Sequence, residues 1–125
     1  MTKDRRVSVI LILLSVAALV GCRHYRGPGE VFLWSHGANL TFSFGLVFIL
    51  RLASLPGSSR VWALGGYALA AVWLQELLQL AGLYRGTFDP RDFVFDALGV
   101  GAAVAVAALL PGPPDGARQP SEPGR

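Results

Sequence analysis

The chain has 125 residues, 53% of them hydrophobic and 15% charged, where an ordinary soluble domain carries about 25% charge; with a mean hydropathy of +0.49 it reads as an integral membrane protein, long enough for one small helical bundle. Its net charge of +3 comes from scattered basic residues, so the clustered basic face that nucleic-acid binding requires is missing. The single cysteine, Cys22, excludes an internal disulfide framework and a cysteine-based metal site.

Four apolar segments follow one another: Val7 to Cys22, Gly37 to Leu55, Val61 to Leu83 and Phe93 to Leu110. The last three approach or reach the roughly 20 apolar residues that a spanning helix needs. Helix breakers separate them at Gly27-Pro28-Gly29, at Pro56-Gly57-Ser58-Ser59 and from Gly86 to Pro90. The runs are continuously apolar rather than alternating, which disfavours a β-barrel. The fold expected is an all-α bundle of four transmembrane helices over residues 1–110. Residues 111–125, rich in proline and glycine, form an expected disordered cytoplasmic tail.

The first segment has a second reading. Basic residues, a short apolar core and Leu19-Val20-Gly21-Cys22 also describe a bacterial lipoprotein signal, with Cys22 as the lipidated residue. In that case three spans remain.

Under four spans, Lys3, Arg5, Arg6, Arg51, Arg60, Arg118 and Arg125 fall on one side and Arg23, Arg26, Arg85 and Arg91 on the other. The basic excess places both termini in the cytoplasm of a bacterial cell, in its inner membrane. Residues 23–36 and 84–91 are then outer loops.

Within this apolar sequence the polar residues are unevenly placed. Glu76 and Gln79, three apart, are neighbours on the third helix. Asp92, Asp96, Gly99 and Ala103 make one stripe of the fourth, whose small residues admit a neighbouring helix. His36, Asn39 and Ser43 make a matching stripe on the second. Ionisable groups in a span are costly, about 2.5–3.5 kcal/mol on insertion scales, and point to function by default. Arg85 and Arg91, in the short loop, are the expected counter-charges for Glu76 and Asp92. Against these stand plainer readings: Asp92 as a helix cap, Glu76–Arg85 as a structural ion pair, Asn39 and Ser43 as interhelical hydrogen-bonding groups.

The run Glu76-x-x-Gln79, then Arg85, Asp92, Asp96 and Gly99, resembles the signature of VanZ-like membrane proteins. The resemblance implies a bundle of four or more spans in the bacterial cell envelope. Through the family's namesake it also implies a link to resistance against glycopeptide antibiotics such as teicoplanin. Asp96 stands where the family usually has asparagine. No lysine closely precedes His36, and Leu40 occupies the usual aromatic place.

The site residues expected are thus Glu76, Gln79, Arg85, Asp92, Asp96, His36 and Asn39. The function expected is binding of a lipid-linked or glycopeptide-like ligand at an outer-leaflet polar site, with membrane lipids as surroundings. The alternatives are an intramembrane enzyme using paired carboxylates, and a dimeric proton-coupled transporter. No cofactor motif is present, and His36 with the carboxylates lacks a recognisable local metal-ligand spacing.

Overall fold

The computed structural model describes residues 2–110; the expected cytoplasmic tail, residues 111–125, lies outside them. All regular structure among the described residues is helical: α1 (Lys3–His24), α2 (Glu30–Ala53), α3 (Val61–Leu80) and α4 (Pro90–Leu109). Each is long and apolar enough to cross a membrane. The protein is a four-helix membrane bundle. α1 runs without a break through Cys22.

Each boundary has a local cause. α2 begins seven residues before the apolar run at Gly37, because Gly29, with φ of 77°, turns the chain and Glu30 opens the helix. There a carboxylate favours the positive end of the helix dipole. The expected loop 23–36 therefore shrinks to residues 25–29, and Trp34 and His36 lie inside a helix. α3 stops at Leu80 rather than Leu83. Gly82, with φ of 72°, takes the left-handed position that ends many helices, and the Leu83 N–H returns to the Leu78 carbonyl at 2.9 Å. α4 starts at Pro90 with Asp89 as its cap, the Asp89 carboxylate accepting from the Arg91 N–H at 2.9 Å. The cap is thus Asp89 and not Asp92.

α2 is the central helix. It packs against α1 on one side and against α3 and α4 on the other, while α3 also packs on α4. The core is made by Val47 and Phe48 of α2, Leu64 and Ala68 of α3, and Val100, Ala103 and Ala107 of α4. Two glycines set the closest approaches. A Cβ on Gly99 would collide with the Leu40 carbonyl oxygen and sit 3.0 Å from the Ser43 Cβ, so α4 can cross α2 there only as glycine. A Cβ on Gly65 would meet Val104 at 2.8 Å. Large apolar side chains such as Leu13, Leu14, Leu74, Leu77 and Leu98 face outward, as contact with lipid requires.

The two ends of the bundle differ. At one end Arg51 makes a two-pronged ion pair with Asp4, Nη2 to Oδ1 at 2.6 Å and Nε to Oδ2 at 3.4 Å. Its Nη1 also reaches the Ala107 carbonyl at 3.4 Å. One guanidinium thereby ties α1, α2 and α4 together. At the opposite end the polar stripes of α2, α3 and α4 converge.

Candidate functional site

The site forms within about two helical turns of one face of the bundle. At 1.5 Å per residue, Glu76 lies roughly 6 Å below the end of α3, Asp92 roughly 3 Å and Asp96 roughly 9 Å inside the start of α4, and His36 roughly 9 Å inside α2. Periodicity puts each side chain inward. Glu76 continues the buried stripe Leu64, Ala68 and Val72 of α3. Asp92 and Asp96 continue the stripe of Gly99, Ala103 and Ala107.

α2 is not a uniform α-helix here. Residues Leu33–Gly37 form one π-helical turn, with the Ala38 N–H reaching back to the Leu33 carbonyl. Such turns insert a residue into the helix and often occur at functional sites. This one carries His36, which is 7% exposed. The imidazole is stacked on Phe95, ring centroids 4.5 Å apart, and meets the edge of Phe32 at 5.2 Å. Held between these rings, it presents Nδ1 to Asp92 Oδ1 at 3.3 Å. Asn39, one turn on, lies beside the same carboxylate.

One turn deeper Ser43 Oγ lies 2.6 Å from Asp96 Oδ1 and 2.8 Å from the Asn39 carbonyl, two acceptors for one hydroxyl proton. Both Ser43 and Asp96 are buried. From α3, Glu76 is only 4% exposed, and its Oε2 is buried with no hydrogen-bond partner. The ionisable groups around it, Asp92, Asp96 and Asp89, are all carboxylates like itself. A buried polar oxygen without a partner forfeits about 1–3 kcal/mol, more when charged. This makes Glu76 the exception to account for in the site.

Of the residues expected from the sequence, the fold gathers His36, Asn39, Glu76, Asp92 and Asp96, together with Ser43. It does not bring Arg85 to them. Arg85 is exposed in the α3–α4 loop, and among the described residues no arginine or lysine forms an ion pair with Glu76, Asp89, Asp92 or Asp96. The expected Glu76–Arg85 pairing fails because α3 ends one turn early, and Gly82 then swings the loop outward. Gln79 follows the loop: its Nε2 points to the Arg85 carbonyl at 3.5 Å, and its side chain packs under Gly86. The group facing Asp92 is His36.

Three features were missed from the sequence: Asp89, Phe32 and Phe95. Asp89-Pro90 carried a readable signal, a capping residue followed by proline at the first helical position. The aromatic pair gave none, since it depends on the rotation of α2 against α4. His36, Asp89 and Asp92 offer ligand atoms that all lie within 4.8 Å of one another. The site is thus rich in carboxylates, with one imidazole and an α-helix N-terminus facing them.

No protein-family model matches the chain, and neither the curated proteins nor the solved structures give a match.

Proposed function

We propose that this is a VanZ-like, multi-pass protein of the bacterial inner membrane. In this reading it binds a polar ligand, lipid-linked or glycopeptide-like, at the outer-leaflet end of α2, α3 and α4, and so alters glycopeptide susceptibility. The observation that carries binding is the buried, unpartnered Oε2 of Glu76 beside the His36–Asp92 and Ser43–Asp96 pairs. A ligand donating a hydrogen bond or bringing positive charge would satisfy that oxygen. Exposed Arg85 and Arg91 lie on the rim in sequence and suit an anionic part of the same ligand, since guanidinium offers bidentate bonds to phosphate. The depth of the site favours a headgroup over an acyl chain.

The test has two arms. In one, the full chain in detergent micelles is titrated with teicoplanin and, separately, with a polyprenyl diphosphate, and binding is read from tryptophan fluorescence. Trp73 donates its Nε1–H to the Phe93 carbonyl at 3.3 Å and so reports on the α3–α4 seam. In the other, teicoplanin susceptibility is compared in cells carrying the wild type, Glu76→Gln or Asp92→Asn at matched membrane abundance. Binding and altered susceptibility that both disappear in Glu76→Gln support the reading. Neither ligand binding, and susceptibility equal to that of cells lacking the protein, would remove it.

A further inference from the structure

We propose that His36, Asp89 and Asp92 form a binding site for one divalent transition-metal ion, with Glu76 beside it to hold a metal-bound water. The proposal stands whether or not a larger ligand binds the bundle.

The donor set is the first ground. One imidazole nitrogen and two carboxylates have ligand atoms within 4.8 Å of one another. They come from α2 and from the first turn of α4 and its cap, elements locked together by the close crossing at Gly99. Imidazole with carboxylate suits zinc, manganese or iron, whereas magnesium and calcium favour oxygen alone.

Distance is the second ground. Two ligands each about 2.1 Å from an ion, at the tetrahedral angle, stand roughly 3.4 Å apart. His36 Nδ1 and Asp92 Oδ1 are 3.3 Å apart. A charge-assisted N–H···O bond would draw them to about 2.7–2.9 Å. The spacing is one that two ligands of a single ion can take up without rearrangement of the helices. The ring is also fixed in that orientation by Phe32 and Phe95. Apolar packing of this kind around a ligating imidazole keeps water out and its geometry constant.

Charge supplies the third and independent ground. Glu76 is more than nine-tenths buried, its Oε2 has no partner, and Asp92 is among the carboxylates around it. Four carboxylates crowd one corner of the bundle, and no lysine or arginine forms an ion pair with them among the described residues. A dication neutralises two of those charges, and a water on the ion gives Glu76 Oε2 the donor it lacks.

The experiment uses the full, untagged chain in detergent micelles, with Cys22→Ser and His24→Gln as background. These changes remove the only thiol and the only other histidine. After chelator treatment, zinc is added by equilibrium dialysis and counted per chain. One saturable zinc per chain is expected. His36→Gln and Asp92→Asn should each weaken binding by at least about 10–100-fold, while Glu30→Gln, a half-buried acid paired with Arg26 at the same end, leaves it unchanged. Helical circular dichroism checks that each variant folds. Manganese bound to the background chain gives a second readout that needs no site variant: its spin-echo modulation should show imidazole nitrogen, which only His36 can supply. Binding that never saturates, binding equally strong in both site variants, magnesium binding as tight as zinc, or bound manganese without nitrogen coupling each overturns the proposal.

Discussion

Gly99→Ala isolates the contact that holds the polar site together. The added Cβ would be driven against the Leu40 carbonyl oxygen and the Ser43 Cβ. The first is backbone in the middle of α2, so no side-chain rotation relieves it, and α2 and α4 must separate. Overpacking of this kind costs about 1–3 kcal/mol, a change of roughly 5- to 150-fold in the folded-to-unfolded ratio, since 1.4 kcal/mol is tenfold. The separation also stretches the two pairs that bridge the helices, Ser43–Asp96 at 2.6 Å and His36–Asp92 at 3.3 Å. Gly101→Ala is the matched control: it lies two residues further along the same helix, and a Cβ there meets nothing within 4 Å. Replacing that glycine should be neutral or stabilising by up to about 1 kcal/mol through helix propensity. Equilibrium unfolding of both variants in mixed micelles, followed by helical circular dichroism, measures the difference. A Gly99→Ala protein within 0.5 kcal/mol of wild type (about the scatter of neutral surface changes), or a Gly101→Ala protein equally damaged, refutes the argument that α2 and α4 touch at this glycine.

Three further outcomes follow from the same geometry. Arg85→Ala should leave membrane abundance at the wild-type level, because the exposed guanidinium compensates no buried charge. Glu76→Gln should also insert normally; quantitative immunoblotting of membranes checks both, and a steep loss in Arg85→Ala would restore the ion pair expected from the sequence. At the other end, Asp4→Asn leaves Arg51 half-partnered at a half-buried position and should cost about 1.5–3 kcal/mol, with Asp4→Leu/Arg51→Met recovering most of it; unfolding of single and double variants that simply add would show that the two residues do not interact. For topology, on a Cys22→Ser background, an impermeant thiol reagent applied to intact cells should label Thr87→Cys and spare Arg118→Cys; the reverse pattern would invert the proposed orientation.

The number of helices, their approximate placement and the polar stripe on each of the last three were legible in the sequence. Apolar run length, breaker position and a 3.6-residue period are local properties, and the bilayer's thickness turns them into spans. Even the pairing of polar faces was visible, since His36, Asn39 and Ser43, Glu76, and Asp92 and Asp96 each continue a buried stripe. The tertiary structure alone decided who partners whom. The sequence favoured the nearest arginine for Glu76, because opposite charges a short loop apart are the cheapest pairing to imagine. The fold instead ends α3 at Gly82, turns Arg85 out, extends α2 back to Glu30, and uses a π-turn to swing His36 against Asp92. Asp4 and Arg51, 47 residues apart, meet for the same reason. Periodicity fixes which face of a helix is buried, whereas the crossing of one helix on another, set here by the missing Cβ of Gly99, fixes which atoms on that face come within reach of each other.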